Sequence, residues 1–153
     1  MRILIDADGC PVVDLAAAAA REHGLECLIL CDTAHQFDKP GAVTLTFSKG
    51  ADSVDFALVN LVRGGDVVIT QDYGLAAMCL ARRARVLNQD GAEYTDENIG
   101  GLLLARHTAK KIRSAGGRLK GPSRRTPGQD AAFERALRGL LENAGAQGKG
   151  GEG

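Results

Sequence analysis

The strongest constraint on the fold of this chain is a regular alternation of two kinds of segment. Short, continuous apolar runs, such as RILID at residues 2–6 and DVVIT at residues 66–70, indicate strands that are buried on both faces. Between such runs lie segments whose apolar residues recur at helical spacing, for example PVVDLAAAAAREHG at residues 11–24. We therefore predict an α/β fold, a three-layer sandwich with a mainly parallel sheet and helices on both of its faces.

Five strands and five helices follow from this pattern. The predicted strands cover residues 2–6, 25–32, 42–47, 66–70 and 85–88. The last helix is predicted to begin at a capping box formed by Thr126 and Gln129. The final stretch, GAQGKGGEG, contains one alanine and no other apolar side chain, so it has little to bury. We predict a single domain over residues 1–144, with a basic loop and C-terminal helix at about 115–143, and a disordered tail over 145–153.

Composition narrows the class of protein. A length of 153 residues fits one domain, and an apolar content of 44% is enough for a core. The chain has no run of about 18 apolar residues, so the sequence predicts no membrane span. Its first strand is not preceded by a signal-peptide pattern, and its four cysteines lack zinc-type spacing. We expect a cytoplasmic protein with reduced thiols.

Aspartates gather at the ends of the predicted strands. Asp6 and Asp8 follow the first strand, and Asp72 follows the fourth. Asp52 and Asp55 lie three residues apart at the start of a predicted helix, so they share one helix face. The carboxyl ends of parallel strands meet at one edge of the sheet, where α/β proteins bind ligands. Carboxylates so close together repel one another, and a hard cation such as Mg²⁺ or Mn²⁺ relieves that repulsion.

The same aspartates also have structural explanations. Asp8 and Asp72 can each cap the helix that follows them. Asp52 and Asp55 can act as an N-cap and a first-turn residue that interacts with the helix dipole. Asp6 is the hardest to explain in this way, because a charge at the end of a buried strand needs a partner.

Charge is divided unevenly along the chain, although the net charge is +0. Residues 1–100 carry eight basic and fifteen acidic side chains, whereas residues 101–153 carry eleven basic and four acidic ones. Four of those basic residues lie in one loop with prolines and glycines: Arg118, Lys120, Arg124 and Arg125. This loop can hold a phosphate backbone, and the alternative is a structural lid that packs on the body of the protein.

A divalent cation held by carboxylates beside a basic loop suits the hydrolysis of a phosphodiester. Such chemistry needs no side-chain nucleophile, and the sequence has neither a Ser-His-Asp pattern nor a phosphate-binding GxxxxGK[ST] loop. We interpret Asp32, after the second strand, and Asp90 as loop residues outside the site. The sequence therefore favours a metal-dependent phosphodiester hydrolase.

Four blocks of the sequence are distinctive in combination: DADGCPV, GDVVITQDYGLAA, LNQDGAEYTDENI and GGRLKGP. They resemble the YaiI/YqxD family of small bacterial proteins, and the resemblance covers about residues 2–141. That family in turn resembles the PIN-like nucleases. This second resemblance implies a parallel sheet between helices, and acidic residues that gather Mg²⁺ or Mn²⁺ for RNA cleavage.

The resemblance to PIN-like nucleases also implies roles for individual residues. Asp6 matches the acid that ends the first strand, and Asp72 matches the acid after the fourth strand, with Thr70 as the small hydroxyl residue before it. Asp52 or Asp55 falls where those proteins place a helical acid. The implied metal ligands are thus Asp6, Asp55 and Asp72. The last acid of the PIN-like pattern has no clear match here, and Asp8 is the candidate to replace it.

Two other functions stay open from the sequence. The block DADG also resembles the start of haloacid dehalogenase-type phosphatases, in which Asp6 would be the nucleophile and Asp8 the general acid. Alternatively, the chain is a non-catalytic nucleic-acid-binding module that binds a phosphate backbone through its basic loop.

Overall fold

The computed structural model describes residues 1–32, 37–48, 53–114, 116 and 124–151. Six strands and five helices cover that part of the chain. The strands are β1 (Arg2–Asp6), β2 (Glu26–Asp32), β3 (Ala42–Phe47), β4 (Val67–Ile69), β5 (Arg85–Leu87) and β6 (Glu93–Tyr94). The helices are α1 (Val13–Glu22), α2 (Ser53–Leu61), α3 (Tyr73–Ala81), α4 (Ile99–Ser114) and α5 (Pro127–Gly151).

The strands form one sheet in the order β3-β2-β1-β4-β5-β6. Neighbouring strands from β3 to β5 are parallel, and β6 pairs antiparallel with β5. The predicted α/β fold with a mainly parallel sheet is confirmed. The sequence does not predict β6, because a strand of two residues is too short to show any alternation.

The sheet separates two apolar cores, as a three-layer sandwich requires. On β1, Ile3 and Ile5 face the core that contains α1 and α5, whereas Leu4 faces the core that contains α2 and α3. Side chains alternate between the two faces along a strand. Asp6 therefore follows Leu4 onto the side of α2 and α3.

Helix α5 begins as the sequence predicts. The Thr126 N–H donates to Gln129 Oε1 at 2.7 Å, and the Gln129 N–H donates to Thr126 Oγ1 at 3.4 Å. The predicted apolar stripe of α5 is buried: Phe133, Leu137, Leu140 and Leu141. The helix continues to Gly151, whereas the sequence predicts a disordered tail from residue 145. Within the described ranges, no helix combines the length and the apolar character needed to cross a membrane, α5 included.

Gly91 lets α5 approach the turn between β5 and β6. Its φ of +86° lies in the left-handed region. A Cβ atom at this position would lie 2.8 Å from the Ala132 carbonyl oxygen and 2.8 Å from Ala136 Cβ, both on α5. The turn is closed by bonds from the Asp90 and Ala92 amides to Asn88 Oδ1. Glycine is thus required at position 91 for two reasons: the backbone there has a positive φ, and α5 leaves no space for a side chain.

We expect Gly91→Ala to lower the free energy of unfolding by about 2–4 kcal/mol, since it adds backbone strain and a clash with a backbone carbonyl. Urea unfolding followed by circular dichroism measures this change. Gly139→Ala is the matched control, because that glycine lies within α5 and a Cβ there meets nothing within 4 Å. The control is expected to raise the free energy of unfolding by about 0.5–1 kcal/mol. Equal stability of the two variants would contradict the close approach at Gly91.

A buried ion pair joins β1 to the residue before β4 at the amino edge of the sheet. Asp66 is 3% exposed. Its Oδ2 accepts hydrogen bonds from Arg2 Nη2 at 2.8 Å and from the Arg63 N–H at 2.9 Å, and its Oδ1 accepts one from the Arg2 N–H at 3.1 Å. Arg2 Nη2 also donates to the Leu61 carbonyl at 2.6 Å. This pair therefore fixes β1, β4 and the end of α2 relative to one another.

Candidate acidic site

An open pocket of about 590 Å³ lies at the carboxyl edge of the sheet. Of the described residues that line it, five are aspartates and one is a cation. The lining residues are Asp6, Asp8, Asp32, Ser53, Val54, Asp55, Gln71, Asp72, Tyr73 and Arg106. The pocket therefore collects most of the carboxylates that the sequence places at strand ends and at the start of α2.

Strand order explains this convergence. β1 lies between β2 and β4, so the segments that follow these three strands are neighbours. Asp6 at the end of β1 is in register with Leu30, two residues before Asp32 on β2. Thr70 follows β4 directly. The three chain segments thus end side by side at the edge where parallel sheets bind ligands.

Asp6 lies in the pocket beside a buried threonine. Thr70, which is 1% exposed, donates from Oγ1 to Asp6 Oδ2 at 2.8 Å. Burial raises the pKa of Asp6 to about 6, and the charges of Asp55, Asp8 and Asp72 add to this effect, whereas the Thr70 hydrogen bond opposes it. The ionised form of Asp6 is therefore unfavourable in these surroundings, and a bound cation would stabilise it.

Asp8 is not the cap of the first helix. Helix α1 begins at Val13, two residues later than its sequence pattern suggests, and its N-cap Val12 makes no side-chain cap. Asp8 instead accepts hydrogen bonds from the Asp32 N–H, at 3.2 Å to Oδ2 and 3.4 Å to Oδ1. It thereby links the ends of β1 and β2 at the rim of the pocket.

Asp72 combines a structural role with a place in the pocket. Its Oδ1 accepts from the Leu75 N–H at 3.1 Å, so Asp72 is the N-cap of α3. Its own N–H donates to Thr70 Oγ1 at 3.0 Å. Thr70 therefore holds the Asp6 side chain and the Asp72 backbone together. The Arg106 guanidinium approaches Asp72 Oδ1 at 3.5 Å.

The other predicted acids are distributed as follows. Asp55 lies in the first turn of α2 and lines the pocket, as expected for a helical acid of the site. Asp52 lies outside the described residues. Among the residues that the structure describes, no three His, Cys, Asp or Glu side chains already form a set that could hold a metal ion. The pocket thus supplies carboxylates on several sides without a preformed ligand cage.

Sequence reasoning missed part of the pocket. Asp32 is the last residue of β2 rather than a loop residue, and its place at the end of the second apolar run is the signal that points to it. Gln71 lines the pocket and donates from Nε2 to the Gly9 carbonyl at 2.8 Å. Arg106 comes from α4, more than 30 residues after β4, and no pattern in the sequence links it to the aspartates.

The predicted basic loop is only partly described. Arg118 and Lys120 lie outside the described residues, and Arg124 is exposed. Arg125 makes internal contacts at the start of α5. It donates to Asp130 Oδ1 at 2.7 Å, to Asp90 Oδ1 at 2.8 Å and to the Gln89 carbonyl at 2.7 Å. In the structure Arg125 therefore connects α5 to the turn after β5.

The fold and the pocket together define a class: a three-layer α/β protein with an open acidic site at the carboxyl edge of a mainly parallel sheet. Within that class, the chain belongs to the YaiI/YqxD family. The model of the family described as "Uncharacterized BCR, YaiI/YqxD family" matches residues 4–143. The predicted resemblance to this family is thus confirmed, and the further resemblance to PIN-like nucleases stays a prediction.

Individual relatives agree with the family model. A UPF0178 protein of Exiguobacterium sibiricum is 54% identical over 141 residues, which are 92% of this chain and 96% of the relative. A UPF0178 protein of Ruminiclostridium cellulolyticum is 47% identical over 137 residues, 90% of each chain. One of Clostridium acetobutylicum is 45% identical over 143 residues, 92% of this chain and 97% of the relative. No solved structure matches the chain.

Proposed function

We propose that this protein is a Mg²⁺- or Mn²⁺-dependent phosphodiester hydrolase that cleaves RNA at the acidic pocket. The observation that carries the proposal is the convergence of Asp6, Asp8, Asp55 and Asp72 on one open pocket, together with the raised pKa of Asp6. A carboxyl group whose pKa is raised by burial and by neighbouring like charges in an open pocket is typical of functional sites.

The chemistry of the donor set fits such an ion. Mg²⁺ and Mn²⁺ prefer carboxylate oxygens and keep several waters, so two or three aspartates suffice to hold them. Asp6, Asp55 and Asp72 are the proposed ligands, and the open pocket leaves room for water and substrate. Since no complete ligand set is preformed among the described residues, these side chains would have to adjust when the ion binds.

The chain's own residues have distinct tasks in this proposal. The bound ion would offset charge on the phosphoryl oxygens and activate a water molecule. Thr70 keeps one oxygen of Asp6 in place through its 2.8 Å hydrogen bond. Asp8 keeps the ends of β1 and β2 together through the Asp32 amide. Asp6 must be ionised to bind a cation, so ion binding should weaken as the pH falls through about 6.

We place this activity in the cytoplasm. All four cysteines are free thiols, and three of them are buried: Cys27, Cys31 and Cys79. Free thiols of this kind suit a reducing compartment.

Calorimetric titration with Mn²⁺ and Mg²⁺ tests the proposal. We expect one defined site in the wild type, and binding at least about tenfold weaker in Asp55→Asn and Asp72→Asn. Asparagine is also a good N-cap, so the second variant keeps the start of α3 intact. Asp14→Asn is the matched control, because Asp14 is an exposed carboxylate on α1 outside the pocket. Cleavage of a labelled RNA should follow the same order.

Other outcomes would point to the rival functions. A folded wild type that binds neither ion and cleaves no RNA would overturn the proposal. Trapping of a phosphate analogue on Asp6 would favour the phosphatase in which Asp6 is the nucleophile and Asp8 the general acid. Salt-dependent RNA binding without ion binding or cleavage would favour the non-catalytic module.

A further inference from the structure

Among the described residues that line the acidic pocket, one is a cation, Arg106. The other charged groups in this described lining are five aspartates, which repel the phosphates of a nucleic acid. A substrate with a phosphodiester backbone therefore needs positive charge beside this pocket, in addition to any bound ion. Arg106 is the described side chain placed to supply it.

Helix α4 changes character along its length. Ile99 and Leu102 pack against the core on the side of α2 and α3. Arg106, one turn further on the same face, reaches the pocket. Lys110 lies another turn along that face, about 6 Å further along the helix axis, and is exposed. The face that anchors α4 on the body thus continues as a basic row that leads out of the pocket.

The contact between Arg106 and Asp72 is weak enough to be exchanged. Arg106 Nη1 lies 3.5 Å from Asp72 Oδ1, and the two side chains are 59% and 35% exposed. An exposed pair with this geometry contributes little to stability. Arg106 can therefore turn from Asp72 to a phosphate at small cost, and a cation bound at Asp72 would favour that exchange.

Arg125 of the predicted basic loop is a less available phosphate ligand than Arg106. Arg125 already bonds two aspartates and a backbone carbonyl. Its use for a phosphate would break contacts that hold α5 to the turn after β5. In the described contacts, Arg106 and Lys110 make no comparable bonds that hold elements together, apart from the weak contact between Arg106 and Asp72.

We propose that the basic row of α4, Arg106 and Lys110, binds the phosphate backbone of an RNA strand and directs it into the acidic pocket. The inference rests on the proposed function, since it names the surface that presents the substrate to that site. The row holds the strand through charge, so it contributes affinity and position rather than sequence specificity.

The test is the salt dependence of RNA binding. Anisotropy of a labelled single-stranded RNA is followed in Ca²⁺ between about 50 and 200 mM salt, with a gel to show that the RNA stays intact. We expect Arg106→Ala and Lys110→Ala to weaken binding and each to lower the slope of log K against log salt by about 0.7. Arg106→Lys keeps the charge and should retain the wild-type slope.

Lys111→Ala is the matched control. Lys111 is also exposed on α4, but it lies about 140° around the helix from Arg106, so its removal should leave the slope unchanged. Unchanged slopes for Arg106→Ala and Lys110→Ala would overturn the inference, as would an equal loss in Lys111→Ala. Cleavage by the wild type is measured in parallel. If the wild type cleaves RNA but the slopes of Arg106→Ala and Lys110→Ala are unchanged, only the role of α4 is refuted. If the slopes are lowered but no RNA is cleaved, the role of α4 in binding RNA is supported and the hydrolase is refuted.

Discussion

Asp66→Ala is expected to lower the free energy of unfolding by about 3–5 kcal/mol, because it leaves the charge of the Arg2 guanidinium uncompensated in a largely buried position. The Asp66 carboxylate accepts bonds from the Arg2 side chain and from the amides of Arg2 and Arg63. Their loss would release the start of β1 from β4. Since domains of this size are stable by only about 5–15 kcal/mol, this variant should unfold at much lower urea concentration.

An exposed ion pair provides the comparison for Asp66. Arg85 and Glu93 join β5 to β6 with bonds of 2.7 and 2.9 Å, but their side chains are 47% and 32% exposed. Glu93→Ala is therefore expected to cost about 1 kcal/mol or less. If Asp66→Ala also lowered the free energy of unfolding by only about 1 kcal/mol, the ion pair between Arg2 and Asp66 would not be needed to hold β1 and β4 together.

Asp6→Asn is expected to raise the free energy of unfolding of the ion-free protein at pH 7 by about 2–3 kcal/mol, while it removes ion binding. The pKa of Asp6 is about 6 in the folded protein, above its ordinary value of 3.8. Between these values the folded state holds more protons, so the wild type loses stability as the pH rises through about 6. Asparagine keeps an oxygen that accepts from the Thr70 hydroxyl. Because it carries no charge, the variant avoids the cost of burying an ionised carboxylate.

The pH dependence and the response to Mn²⁺ separate the two parts of this prediction. Urea unfolding of wild type and variant should show a stability difference that shrinks as the pH is lowered from 7 to about 4, where Asp6 is protonated in the folded state. Added Mn²⁺ should then stabilise the wild type alone and narrow or reverse the difference. A difference that does not change with pH would contradict the raised pKa, and equal stabilisation by Mn²⁺ would contradict the role of Asp6 as a ligand.

Elements with strong local signals could be predicted from the sequence. The bounds of β1 and β3 match the apolar runs at residues 2–6 and 42–47. The capping box of α5 forms as predicted, because Thr126 and Gln129 act within one turn. The start of α1 is less well predicted, since Pro11 suits a first helical position but the helix begins at Val13.

The candidate site was predictable only in part. Asp6, Asp55 and Asp72 were accessible because each follows a strand or opens a helix, and all three line one pocket. No sequence pattern by itself places Asp32 or Arg106 in the pocket, because their place there depends on which strand lies beside β1 and on where α4 packs. Asp52, Arg118 and Lys120 lie outside the described residues, so their roles stay predictions.

By itself, the sequence determined every element except β6, their alternation and the placement of acids at strand ends, because these depend on periodicity and capping between residues close along the chain. The tertiary structure decided which acids meet and which cation joins them. It placed β1 between β2 and β4, which brings Asp8 to the Asp32 amide and Thr70 to Asp6. The physical reason is that burial, a raised pKa and an ion pair arise only between groups that packing brings together.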